Sequence, residues 1–146
     1  MEINIENFTP DEKSQFYRVI QISEQELKKN PYGFKMNEGY TGKYKTNHKI
    51  QLKQVKKRDE VIEHEEVNKF LFTKNRKSSG ASFIAHIRNA YCHATILIDG
   101  NNFLIKDYTT KKGKSYLTAY GRINRMHLFP LIEFMMQDRE ENIKKK

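Results

Sequence analysis

The sequence predicts a mainly α-helical chain, a four-helix bundle with a small β-hairpin or meander inserted before the last helix. Three observations carry that expectation. Apolar residues recur at helical spacing in residues 11–29, 84–94 and 125–142. Residues 49–74 contain neither Gly nor Pro and are rich in strong helix formers. Asp99-Gly100 separates two short β-prone runs, Thr95-Ile96-Leu97-Ile98 and Phe103-Leu104-Ile105, and is a strong hairpin signal.

Each element has a local justification. Thr9 before Pro10, with Glu12 three residues on, makes a capped helix start. Phe16, Val19, Ile20 and Leu27 supply one apolar face, and Asn30-Pro31 should end the helix. Residues 31–48 hold Gly33, Gly39 and Gly42 without a sustained period, so they read as a long loop. Its aromatics either pin it to the bundle or, with its lysines, stack bases and hold phosphates. In residues 49–74, Leu52, Val55, Ile62 and Phe70 mark one stripe, interrupted by Asp59 and Glu66. Ser78 or Ser79 then caps the third helix. After the hairpin, Lys112-Gly113-Lys114 makes a second turn into a strand at residues 115–119. In the final helix, Pro130 predicts a kink or a start just before it. No repeat or internal boundary is visible, so residues 1–146 read as one domain.

Composition narrows the function. The chain carries 27 Lys and Arg against 18 Asp and Glu, a formal charge of +9. That balance favours an anionic partner, nucleic acid first, because backbone phosphates attract lysine and arginine without sequence recognition. Nine Phe and eight Tyr supply large core pieces, which argues against disorder. One cysteine, Cys92, excludes an intrachain disulfide and a cysteine-based zinc site. His64-Glu65-Glu66-Val67-Asn68 lacks the second histidine of a zinc helix, and no phosphate-binding glycine loop is present. Neither a signal segment nor a membrane span is expected, so the chain reads as a cytoplasmic protein needing no cofactor.

The chemistry concentrates in Ile84-Ala85-His86-Ile87-Arg88-Asn89-Ala90-Tyr91-Cys92-His93. On a helix, Asn89 and His93 stand one turn apart and Arg88 reaches the same patch. An arginine grips phosphate oxygens, a histidine moves protons near neutral pH, and an amide orients either. Tyr91 and Cys92 point elsewhere and read as packing residues, and His86 reads as structural or solvated. Lys53, Lys56, Lys57 and Arg58 form a basic run, either a solvated face or a guide for RNA.

Arg-Asn-x-x-x-His at the end of an apolar helix resembles the signature of the HEPN (higher eukaryotes and prokaryotes nucleotide-binding) family. The resemblance implies a small helical bundle, a homodimer, and a metal-independent endoribonuclease of toxin–antitoxin or anti-phage type. It places Arg88, Asn89 and His93 in a cleft between two copies, where a ribose 2′-hydroxyl attacks phosphorus and leaves a 2′,3′-cyclic phosphate. One histidine per chain leaves either the acid or the base unfilled, so a monomer is expected to be inactive. From spacing alone, Arg88 pairing with a glutamate of the second helix and His93 capping its own helix end is the better account, and only the resemblance tips the balance. Two rival functions stay open: a catalytically idle nucleic-acid-binding module, and an antitoxin-like interaction partner.

Overall fold

The computed structural model describes residues 7–29 and 33–144, without the side chains of 142–144. The first helix, α1 (Pro10–Gln21), starts as expected, with a complete capping box between Thr9 and Glu12. It runs on through a π-helical turn, Ile22–Glu26. The expected stop at Asn30-Pro31 lies outside the described residues.

From residue 39 onward the expectation of a bundle is overturned. The chain continues as α2 (Gly39–His48), β1 (Gln51–Val55), a 3₁₀ turn (Arg58–Glu60) and β2 (Lys69–Thr73). It then forms α3 (Ser79–Cys92), β3 (Ile96–Asp99), β4 (Asn102–Lys111), β5 (Lys114–Asn124) and α4 (Leu128–Lys144). The five strands form a single mixed sheet in the order β1-β2-β5-β4-β3. β1 and β2 run parallel, and all the other neighbours are antiparallel. This is an α/β fold, and the meander supplies three strands of its one sheet rather than standing as an appendage.

Two segments account for the difference. The expected loop at 31–48 contains α2, whose N-terminus is capped from 97 residues away. Asp138 of α4 accepts hydrogen bonds from the Tyr40 and Thr41 amides at 2.9 and 3.0 Å and from the Thr41 hydroxyl at 2.6 Å. Gly39 admits this clamp. Its φ is +64°, and a Cβ there would lie 2.4 Å from Asp138 Oδ1. The expected helix at 49–74 is two strands and the crossover between them, residues 56–68. Lys49 (φ 54°) ends α2 in the left-handed region, and β1 begins two residues later. Crossovers between parallel strands need about a dozen residues and usually contain a helix. Here one 3₁₀ turn suffices, tied down where Arg122 of β5 donates to the His64 carbonyl and to Asp99 (2.8 Å).

Helices cover one face of the sheet. Phe70 and Phe72 of β2 and Phe103 and Ile105 of β4 meet Phe83, Ile84 and Ile87 of α3, Phe16 of α1 and Leu131 of α4, all essentially water-free. At about 1.5–3 kcal/mol for each fully buried large apolar side chain, this face supplies most of the folding drive. Tyr91 belongs to it, stacked on Phe16 with ring centroids 4.3 Å apart. On the opposite face Val55, Leu71, Leu97, Leu104 and Tyr120 form a smaller cluster, closed by Val61 of the crossover. α4 starts two residues before Pro130, in the first turn, where a missing N–H costs nothing. Among the described residues no helix is long and apolar enough to cross a membrane.

Candidate nucleic-acid interface

The parallel strands β1 and β2 end at Val55 and Thr73, beside Asp107 of β4 and Thr118 of β5. α3 crosses this edge of the sheet and brings His86 and Asn89 over it. A cleft of about 570 Å³ opens there. Ser78 caps α3 by accepting from the Ala81 amide, and Ser79 donates to Gln54 Oε1 of β1 at 2.5 Å. Ser82 Oγ accepts from the amides of Asn75 and Arg76 at 3.1 and 3.0 Å, fixing the loop after β2 along one wall.

The floor is a buried pair. His86 Nε2 lies 2.7 Å from the Thr73 carbonyl, so that nitrogen carries a hydrogen. His86 Nδ1 lies 2.7 Å from Asp107 Oδ2, and one more proton is held between those two atoms. The side chains are 1% and 4% exposed. Both ring nitrogens are therefore committed, and His86 has no free nitrogen to offer a ligand. A bulge at Asp107/Tyr108 shifts the β4–β5 register here; bulges of this kind re-aim side chains beside functional sites.

The walls are basic. Lys56, Arg58, Lys74 and Lys111 all line the cleft, and the only carboxylate among its lining residues is Asp107, already spent on His86. Asn89 and Tyr108 complete the rim, and Asn75 Oδ1 is buried with no hydrogen-bond partner among the described residues, leaving an acceptor for an N–H donor.

Of the residues singled out from sequence, the fold brings Lys56, Arg58 and Asn89 to one cleft. Lys53 and Lys57 are not among its lining residues, and the run sits on β1 and the turn after it rather than on a helix. Arg88 donates to Asn89 Oδ1 at 3.1 Å and to Glu24 Oε1, in the π-helical turn, also at 3.1 Å. His93 is the C-cap of α3 and exposed, and its ring makes no hydrogen bond or ion pair among the described residues. Arg88 thus pairs with a glutamate, but one that follows α1 rather than one of the expected second helix, and His93 occupies the C-cap position through its backbone N–H. Cys92, expected to be a small buried residue, is exposed, because α3 ends there and its last turn leaves the core. Sequence reasoning missed Asp107, Lys74 and Lys111, and it left His86 undecided between structural and solvated. The one available signal for them was β-register. Asp107 sits at an inward position of a strand whose neighbours Phe103 and Ile105 are core.

Nothing among known protein families, curated proteins or solved structures matches this chain. The HEPN resemblance is therefore carried by the last turn of α3 alone. Arg88, Asn89 and His93 do close an apolar helix, but the four-helix bundle that the resemblance implied is replaced by the mixed sheet.

Proposed function

We propose that the chain binds RNA, with the phosphodiester backbone laid along the cleft between the β1 end, the loop after β2 and the start of the β4–β5 hairpin. One observation carries this reading: four cations line a cleft whose one carboxylate among the described lining residues, Asp107, is hydrogen-bonded to His86. Lysine and arginine side chains exchange condensed counterions for phosphates, and an exposed tyrosine at the rim gives a base something to stack on. The formal charge of +9 acts in the same direction. The test is fluorescence anisotropy with labelled single-stranded RNA across a salt series. The four cleft cations, neutralising four phosphates, contribute about −3 to the slope of log K against log salt, at roughly −0.7 per phosphate. Lys56→Ala with Lys74→Ala lowers that slope by about 1.4. Binding that ignores salt, or none at all, would exclude the reading.

A second reading, cleavage of the bound strand, is favoured by His93. Its ring is exposed and has no partner among the described residues, at the end of the helix on which Arg88 and Asn89 are already hydrogen-bonded to each other. Arg88 would hold the phosphate charge and His93 would move the proton of the 2′-hydroxyl or of the leaving 5′-oxygen. Filling both roles takes two histidines, so this reading requires a homodimer. Cleavage that persists in EDTA, yields a 2′,3′-cyclic phosphate and disappears in His93→Ala without loss of binding would establish it. Intact RNA after prolonged incubation would leave a binding module.

A further inference from the structure

The β4–β5 hairpin outruns the rest of the sheet. β2 is paired with β5 only as far as Phe72↔Ala119, and β3 with β4 only to Ile96↔Ile105. Beyond that, Tyr108–Leu117 pair only with each other, as a two-stranded ribbon. At about 3.4 Å per residue, five residues a side reach roughly 17 Å past the sheet edge. These ten residues include Lys111, Lys112 and Lys114 and no carboxylate. All three lysines are exposed, and none makes an ion pair or a side-chain hydrogen bond among the described residues. The turn at Lys112-Gly113 has positive φ at both positions (51° and 77°), the geometry that matches strand twist in a tight hairpin. At the root, the Arg58 guanidinium stacks over the Tyr116 ring at 3.9 Å, coupling the ribbon to the cleft wall.

The register is the decisive point. Lys111 and Lys114 face each other directly across the ladder. Like charges in that position destabilise a hairpin, and an isolated two-stranded ribbon is marginal to begin with. Lysines do protect exposed strands from pairing with other chains. That role needs neither two opposed lysines nor a third between them at the tip. An anionic partner relieves the repulsion. Lys111 also lines the cleft, and Lys114 is its direct partner across the ladder, so the ribbon lysines adjoin the cleft cations.

We propose that this ribbon is a second phosphate-binding arm, which extends the grip of the cleft along the same single strand of RNA. The proposal rests on the RNA reading above. It sets the ligand's length: about five stacked nucleotides, at roughly 3.4 Å each, span the ribbon beyond those held in the cleft. The probes are labelled uridine oligomers of 4 and 12 nucleotides, with a 12-base-pair DNA duplex as a third ligand. The variant is Lys112→Asn with Lys114→Thr. Asparagine keeps the left-handed turn and threonine keeps the strand, and an unchanged circular dichroism spectrum verifies the fold.

For the 12-mer the double variant is expected to lose about 1.4 from its salt slope, two contacts at roughly −0.7 each. Binding of the 4-mer should stay at the wild-type level. A variant that binds the 12-mer with the full wild-type slope would overturn the arm, while wild-type binding of the 4-mer keeps the cleft reading intact. Wild type that binds neither oligomer would remove both. A slope loss seen with the duplex and absent with the 12-mer would also overturn the proposal, in favour of a ribbon that enters a duplex groove.

Discussion

His86 and His93 stand seven residues apart on one helix and differ in nearly everything else. His86 is walled in by Phe72 and the sheet, with one ring nitrogen on a backbone carbonyl and the other on a buried carboxylate. His93 lies past the last turn of α3, exposed, with its ring uncommitted among the described residues. A buried histidine with both nitrogens satisfied holds elements together; it joins α3, β2 and β4 at the floor of the cleft. An exposed one with free nitrogens can exchange protons with whatever binds. The same residue type thus divides into a committed and an available imidazole by burial and hydrogen-bond saturation alone.

The largest effect expected from breaking this contrast is His86→Ala. It leaves the Asp107 carboxylate buried without a partner, and losing one member of a buried pair costs about 3–5 kcal/mol. Urea unfolding should show a midpoint far below that of His93→Ala, whose stability should lie within about 0.5 kcal/mol of wild type. Equal destabilisation by both would dissolve the distinction.

A second scaffold joint lies away from the cleft and sharpens the comparison. Asp138→Ala removes all three bonds to the start of α2, at about 1–3 kcal/mol for the amides left unsatisfied. Thermal unfolding should register that loss while the proposed RNA binding, measured at low temperature, is unchanged. If affinity falls in parallel, the cleft is not independent of the α2–α4 joint.

Smaller still are the pH-linked terms. Burial raises the carboxyl pKa of Glu12, but hydrogen bonds and charge from Arg125, together with the Thr9 bonds, outweigh it and hold the group below its ordinary value. A carboxylate with a depressed folded pKa lends stability that is complete above about pH 4.3 and is lost as pH falls through the lower folded value. Acid unfolding should therefore move to higher pH in Arg125→Ala. His127 gives the weakest term. Burial and then the neighbouring His48 hold its pKa below the ordinary 6.5. The stability it lends is complete above that pH and declines as pH falls towards the folded value. By NMR its ring should titrate below pH 6.5, and His48→Ala should move that titration upward.

Several pieces of this protein were legible in order along the chain, for a common reason. The Thr9–Glu12 box, the Ser78 cap, the Asp99-Gly100 and Lys112-Gly113 turns and the helix opening just before Pro130 are all settled by residues within four positions of each other. Local sterics and local hydrogen bonds decide them. The basic charge was countable directly, but that Lys56, Arg58 and Asn89 line one cleft was not, because they come from different elements. What the tertiary structure alone decided depends on partners far away. Residues 49–74 contain good helix formers, and Leu52 and Val55 are spaced as well for a turn of helix as for the two faces of a strand. Pairing of β1 with β2, and of β2 with β5, makes them sheet, because a strand's hydrogen bonds are made to another segment of the chain. α2 forms in a glycine-bearing stretch because Asp138 caps it from the last helix. The cleft itself joins β1, the loop after β2, α3 and the β4–β5 hairpin, and its floor pairs His86 with a carboxylate 21 residues on. Periodicity reports which face of a segment is apolar. Only the packed sheet determines which charges that face leaves side by side.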